Sequence, residues 1–298
     1  MQPTLLVLAA GMGSRYGGLK QLDGVGPSGE TILDYAVFDA IRAGFGRVVF
    51  VIRREFEDAF RAQVAAKYAD RVLVDYVFQS LDALPAGCTP PPGREKPWGT
   101  GHAVWCARDA VREPFAVIGA DDYFGRDAFK KLAAYLSKNQ NLQRSAFAMV
   151  GYRLAHTLSE NGAVSRGVCT ATVDGALQRV VEHTGIRRED VGAGPGKKFT
   201  GAEIVSMNCW AFTPALFTTM NRQFTNFFEI HGGALESEFY LPEAVSRQIA
   251  VGEADVKVLP TTASWFGVTY REDKPRVQAA LAGLVANGEY PGSLFPKP

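Results

Sequence analysis

Three short stretches of this chain hold the residue types that handle phosphate. In "LAAGMGSRYGGLKQ", Leu8–Gln21, an apolar run gives way at Ala10 to Gly11 and Gly13, and Arg15 and Lys20 follow within a few residues. Glycines at a strand tip let the backbone turn sharply and aim bare N–H groups at an anion. Arginine grips two phosphate oxygens at once, and lysine adds a mobile point charge. In "VIGADDYFG", Asp121 and Asp122 close another apolar run. Paired carboxylates there suit a hard cation such as Mg²⁺, which takes one or two of them and completes its shell with water and phosphate. In "WGTGHAVWCA", Gly99, Thr100 and Gly101 open a helix whose first N–H groups have no partner within it and can serve a base or a phosphate.

Each stretch also has a plainer reading. The first is then a glycine turn with solvated basic residues, the second an Asp-rich turn capping a helix that begins near Asp127, and the third an N-cap at Thr100 with His102 in the first turn. Capping accounts for one aspartate and not for two beside a glycine loop, so Asp121 and Asp122 are read as metal ligands. His102 keeps the plainer reading, because no two of the four histidines are close in sequence. The glycine loop is neither a Walker loop, having no Gly-Lys-Ser/Thr, nor a full dinucleotide fingerprint, since Tyr16 takes the last glycine's place.

For these residues to meet, a sheet must deliver them to one edge. Thr4–Ala9, Arg47–Ile52, Val72–Phe78 and Phe115–Gly119 are short β-branched or aromatic runs that suit a parallel sheet covered on both faces. Between them, Thr31–Ala43, Arg54–Tyr68 and Gly101–Val111 repeat apolar residues at three and four positions, as helices require. The series predicts an α/β fold: a doubly wound, mostly parallel sheet with right-handed crossovers and helices on both faces, ligands binding beyond the carboxyl ends of the strands. The second half is less regular and predicts a smaller mixed β region. Strands are expected at Ser145–Tyr152, Val168–Val173, Leu177–Glu182 and Ile204–Phe212, with a hairpin turn at Asp174-Gly175, and helices at Pro214–Phe224, Glu236–Val251 and Asp273–Ala286. Two long loops, Asp82–Gly99 and Arg187–Gly201, are of the kind that carries function in compact domains. No linker stands out, so residues 1–298 read as a single domain with halves at 1–125 and 126–298.

Composition is consistent with this frame. At 298 residues, 47% of them apolar, the chain can bury a substantial core, and its net charge of +1 implies no general affinity for nucleic acid or an anionic membrane. Cys88, Cys106, Cys169 and Cys209 are far apart and form no Cys-x-x-Cys pair, which fits reduced thiols and a cytoplasmic location. No apolar run approaches the roughly 20 residues of a membrane span, and the N-terminus lacks the features of a signal peptide; the expectation is a soluble, unprocessed protein. Its oligomeric state is not legible.

Glycine loop, metal aspartates and a helix-opening turn on neighbouring strands together resemble the sugar-1-phosphate nucleotidylyltransferases, the NDP-sugar pyrophosphorylases. That family's Leu-Ala-Ala/Gly-Gly-x-Gly-x-Arg and following Lys are matched by Leu8–Arg15 and "LKQL", and its next helix and strand by "GETILDYAVFDAIRAGFGRVVFVI". "GTGHAV" is similar to the Gly-Thr-Ala-His-Ala of the uridylyltransferase branch, and "GADDYFG" to the metal motif. The likeness covers residues 4–125 well and thins afterwards. It implies a Rossmann-like nucleotidyltransferase fold and an Mg²⁺-dependent enzyme that joins an NTP, UTP favoured, to a sugar 1-phosphate and releases pyrophosphate. It implies that Ala10, Gly11, Gly13, Arg15 and Lys20 hold the triphosphate, Asp121 the metal, Gln79 the base, with Gly99 and Thr100 lining the same pocket. Downstream it implies sugar contacts at Gly167, at Glu182 in "VVEH" and at Asn208 in "SMNCWAF"; on the plainer reading the last two are a strand-end carboxylate and a turn amide.

Three departures leave alternatives open. The Pro-x-Thr usual between the Arg and the Lys is missing, as in some cytidylyltransferases, which keeps CTP, dTTP and a non-sugar phosphate acceptor in view. His183 stands where relatives have a sugar-phosphate lysine. The family's Trp-x-Asp-x-Gly-Thr reads "WFGVTY", so Gly267 replaces the second metal aspartate. A substitute acid is sought among Asp122, Glu236, Glu238, Glu272 and Asp273, with residue 267 still expected to face the pocket. The rival function is a nucleotide- or sugar-binding regulatory protein of the same fold that has lost turnover. A dinucleotide oxidoreductase is disfavoured, since Arg53 and Arg54 stand where a ribose-binding acid belongs.

Overall fold

In the computed structural model, which describes residues 1–11, 23–68, 70–140, 145–268 and 271–296, the apolar runs of the first half become four strands. These are β1 (Thr4–Leu8), β2 (Arg47–Ile52), β3 (Leu73–Phe78) and β4 (Phe115–Gly119), all parallel, in the order β3-β2-β1-β4. Leu8 is in register with both Val51 and Gly119, so β1, β2 and β4 end side by side at the stretch that carries the aspartates. The crossovers hold α1 (Ile32–Ala43), α2 (Glu57–Gln63) and α3 (Thr100–Cys106). A capping box starts α1, in which the Asp34 N–H donates to the Thr31 hydroxyl and the Thr31 N–H to the Asp34 carboxylate; Gly44, at φ 97°, ends it.

The remainder adds β5 (Asp122–Tyr123), α4 (Arg126–Lys138), β6 (Ser145–Arg153), β7 (Val164–Ala171), β8 (Leu177–Ile186), β9 (Ile204–Phe212), α5 (Ala215–His231), α6 (Leu241–Ala250), β10 (Ala254–Pro260), β11 (Phe266–Gly267) and α7 (Lys274–Ala286). Among the described residues the main sheet continues from β4 to β9, β6 and β10. Because β9 is antiparallel to β4 and to β6, while β10 is parallel to β6, β9 alone is reversed along this path. The sheet is thus mostly parallel, with the mixed part in the second half, as expected. Alternate residues serve opposite faces: Leu5, Val7, Phe50 and Ile118 join the core under α1 and α4, and Leu6, Val49, Val51 and Val117 join the one under α3, α5 and α6. No helix among the described residues is long and apolar enough to cross a membrane.

Several boundaries moved. The helix expected over Arg54–Tyr68 is broken into α2 between two 3-10 turns. α3 stops at Cys106, after which Ala110 N–H closes a separate turn on Ala107 C=O. α6 begins at Leu241 and not Glu236, because Pro242 belongs in a first turn and Tyr240 before it is extended. α5 runs on past Phe224 to bury Phe227. The hairpin turns at Asp174-Gly175, with Gly175 at φ 82°. Its strands are β7, which starts four residues earlier than expected, and β8, which runs on to Ile186. β10 was not anticipated, nor was the two-residue ladder of β5 with β11, which is too short to leave a periodic signal.

Candidate functional site

The cleft opens where β9 changes partners. Its C-terminal part, Trp210–Phe212, pairs with β4, while Val205 and Ser206 pair with β7 on the same edge. The β6 ladder on the other edge skips from Ser206 to Trp210 as well. Asn208 lies in this gap with a left-handed φ of 54°, a conformation costly for a residue with a side chain. The bulge places Asn208 on the wall of two adjoining cavities, and both also reach Thr100, Asp121 and Asp122.

The first lobe, about 590 Å³, is lined by Ala10, Gly11, Gln79, Gly99, Thr100 and the two aspartates. Sequence reasoning placed all of these together; Gly13, Arg15 and Lys20 lie outside the described residues. Gly99 has φ 94°, and a side chain there would come within 2.8 Å of Phe239 C=O, which accepts from Gly101 N–H. Phe239 N–H donates to Trp98 C=O, so the helix-opening turn is held by main chain from just ahead of α6. Thr100 does not cap its own helix: Gly99 holds the N-cap position of α3, and the Thr100 hydroxyl accepts from Leu241 N–H at the start of α6.

His102, set aside as an ordinary first-turn residue, positions Gln79. It is fully buried, and burial lowers its pKa to about 4, so the ring is neutral near pH 7. Its Nε2 lies 2.7 Å from Ala83 C=O, which can only accept; Nε2 therefore carries the proton, and Nδ1 accepts from Gln79 Nε2 at 3.2 Å. The other Gln79 N–H donates to Gly99 C=O at 3.0 Å. With both donors committed, the amide oxygen of Gln79 is what remains to offer a ligand.

Asp121 and Asp122 bracket the seam between lobes. A Cβ built on Gly119 would stand 3.4 Å from Asp121 Oδ1 and 3.4 Å from Asp122 Oδ2, so the two carboxylates converge over a glycine that leaves them room. Two converging carboxylates on an open cleft fit Mg²⁺, which needs no third protein ligand; no group of three His, Cys, Asp or Glu gathers among the described residues. Gly267 pairs with Asp122 across β5–β11, and its Cβ would lie 2.7 Å from Asp122 Oδ1. Residue 267 is therefore beside the seam. Of the other acids considered, Glu236 and Glu238 line the first lobe but pair with Lys96 at 3.2 and 2.9 Å. Asp273 is buried, accepts from Ser159 and Asn161 ahead of α7, and lines neither lobe; nor does Glu272. Asp122 is the acid that stands with Asp121.

The second lobe, about 740 Å³, brings Gly167 and Glu182 together with Asn208. Gly167 faces Glu182 in the β7–β8 register, and a Cβ on it would meet Val180 at 2.7 Å and the Glu182 carboxylate at 3.5 Å. Partial desolvation raises the Glu182 pKa, against the pull of Arg166 and His183. His183 is not part of this wall; its ring packs edge-on against Phe199, 5.3 Å between centroids. Arg166, Ser206, Tyr240 and Ser246, which sequence reasoning passed over, also line the lobe, as does Trp265 of the "WFGVTY" stretch.

Neither a protein-family model nor a curated protein sequence matches the chain. Solved structures match it in fold. A UDP-glucose pyrophosphorylase complexed with UDP-glucose is 17% identical, with TM-score 0.60 over 94% of this chain and 98% of that one. A Bacillus anthracis protein described as a glucose-1-phosphate thymidylyltransferase, in complex with a sucrose, is 14% identical, with TM-score 0.62 over 94% and 95%. The inositol-1-phosphate CTP transferase from T. maritima is 13% identical, with TM-score 0.61 over 94% and 96%. At these identities what is shared is the fold, and it is the fold of nucleotidyltransferase structures.

Proposed function

We propose that this chain is an Mg²⁺-dependent nucleotidyltransferase that moves a nucleotidyl group from an NTP to a sugar phosphate or related phosphate and releases pyrophosphate. The observation that carries this is the seam: two converging carboxylates, Asp121 and Asp122, stand where two cavities of similar volume meet. One lobe then takes the nucleotide and the other the acceptor. A phosphate oxygen of the acceptor attacks the α-phosphate; the α–β bridging bond breaks in line, and its electron pair leaves with pyrophosphate. Such a transfer needs positioning and charge neutralisation, not a covalent enzyme intermediate. Gly11, with Gly13, Arg15 and Lys20 from the glycine loop, serves the leaving pyrophosphate, and Asp121 and Asp122 hold the metal, which when bound neutralises charge on the phosphates. Asn208, held at the bulge between the lobes, orients the acceptor. The amide oxygen left by Gln79 suits the N3–H of uracil or thymine, where cytosine presents an acceptor. UTP is accordingly favoured over CTP.

Pyrophosphate release, measured with each NTP against a panel of sugar and polyol phosphates in millimolar Mg²⁺, tests this. Release that requires both substrates and is abolished by EDTA is expected. A second reading, a regulatory protein that binds the same ligands without turnover, draws on Gly267, which leaves the seam one carboxylate short of the family's pattern. Tight NTP binding with no release for any pair would favour it.

A further inference from the structure

The second lobe contains a buried cation that, among the described residues, donates to no carboxylate. Arg166 is 8% exposed, and its guanidinium lies over the Trp265 ring at 4.7 Å. Its Nε donates to the Thr157 hydroxyl at 3.1 Å, one terminal nitrogen to Ser165 C=O at 2.7 Å, and the other to Thr157 C=O. Every one of these acceptors is uncharged. Among the described residues, the acids whose field it feels are Asp122 and Glu182, and neither accepts a hydrogen bond from it. Burying a guanidinium without an ion pair is costly, and a fold that fixes the group so firmly keeps its charge for something else. Among the described residues three of its five N–H groups find acceptors, which leaves donors for an anion.

The surrounding wall is also incompletely satisfied. Ser206 Oγ, Ser246 Oγ and Trp265 Nε1 are buried without partners among the described residues, all on residues that line this lobe. A serine hydroxyl turns toward the cavity by a single χ1 rotation. The far edge of Trp265 would lie 3.5 Å from a Cβ on Gly267, itself 2.7 Å from Asp122 Oδ1, so Arg166 stands one indole ring away from the seam.

We propose that Arg166 binds the phosphate group of a polyhydroxylated phosphate monoester, whose hydroxyls are taken by Ser206, Ser246 and Glu182. Calling that ligand the acceptor rests on the nucleotidyl-transfer reading; the anion site itself does not.

The test titrates inorganic phosphate and glucose 1-phosphate by calorimetry into an R15A/K20A double variant, which removes the glycine loop's charges from the measurement. Adding R166Q should weaken both ligands at least about tenfold, and adding R166K, which keeps the charge and loses the fork, about threefold or more. UTP binding to the R166Q single variant should stay within twofold of native. If R166Q does not fold, the R166K comparison decides. Unchanged phosphate affinity in a folded Arg166 variant overturns the proposal, as does failure of the double variant to bind either probe, or a loss that falls on UTP instead. Arg166-dependent phosphate binding in a protein that never releases pyrophosphate upholds the site and removes nucleotidyl transfer. Pyrophosphate release with the same acceptor KM in R166Q and native protein does the reverse.

Discussion

The first lobe is walled largely by the ends of parallel strands and by loop main chain, the second by side chains of the β7–β8 hairpin together with those of β9, α6 and Trp265. Ala10, Gly11, Gly99 and Gly119 contribute little but backbone to the first, and its Gln79 side chain is locked by His102 and Gly99. In the second, Arg166, Glu182, Ser206, Ser246 and Trp265 all present side-chain groups, several without partners. Backbone donors and glycines suit a ligand part common to all NTPs, whereas a lobe made of side chains can be respecified by substitution without altering the fold. On the proposed reading the difference says where identity resides: nucleotide recognition would be built into the sheet edge, and acceptor recognition laid over it.

The largest expected effect lies at the seam that both lobes share. Asp121→Asn should lower Mg²⁺-dependent pyrophosphate release by roughly a hundredfold or more, while UTP binding in EDTA changes little. Asp122→Asn should be milder. The opposite order would make Asp122 the principal ligand and shift the metal toward the acceptor lobe.

Next in size is a stability effect confined to the first lobe. The His102 pKa is about 4 in the folded protein against 6.5 unfolded, so the unfolded chain binds the proton more readily. Its contribution is fully present above pH 6.5 and is lost as pH falls toward 4, by at most about 3 kcal/mol. Asp39 acts with the opposite sign, its pKa raised to about 6 by burial, so its contribution is present below about pH 4 and lost as pH rises through 6. Denaturant melts of native protein and His102→Asn between pH 4 and 7 isolate the histidine's share. If the two proteins lose stability in parallel on acidification, His102 is not the buried neutral group described.

A tenfold effect in each direction would sharpen the division between the lobes. Gln79→Ala should raise the KM for UTP about tenfold with the acceptor KM unchanged, and Glu182→Gln should do the converse. Crossed effects, with Gln79 moving the acceptor KM, would break the division. Smallest is Gly267→Asp, which adds a carboxylate beside Asp122 and should tighten apparent Mg²⁺ affinity severalfold without abolishing turnover. An unchanged Mg²⁺ dependence of pyrophosphate release would mean that residue 267 does not reach the metal.

By itself the sequence determined the parallel half and the first lobe. Leu8, Gly11, Gly99, Thr100 and Asp121 belong to stretches in which a few consecutive residues carry both the element and the chemistry, and parallel strands that end in register bring such stretches to one edge. Single residues such as Gly167, Glu182 and Asn208 could be singled out only through a resemblance, because nothing local distinguishes them from a strand glycine, a strand-end acid and a turn amide. Tertiary structure alone decided the rest. The step of β9 from β4 to β7, which opens the cleft and turns Asn208 into it, depends on pairings among strands far apart in the chain. His102 became a positioning residue because Ala83 and Gln79 fold against it, and Arg166 became a buried cation because Thr157 and Trp265 close around it. Burial and hydrogen-bond partnership are properties of the packed whole, and no window of sequence contains them.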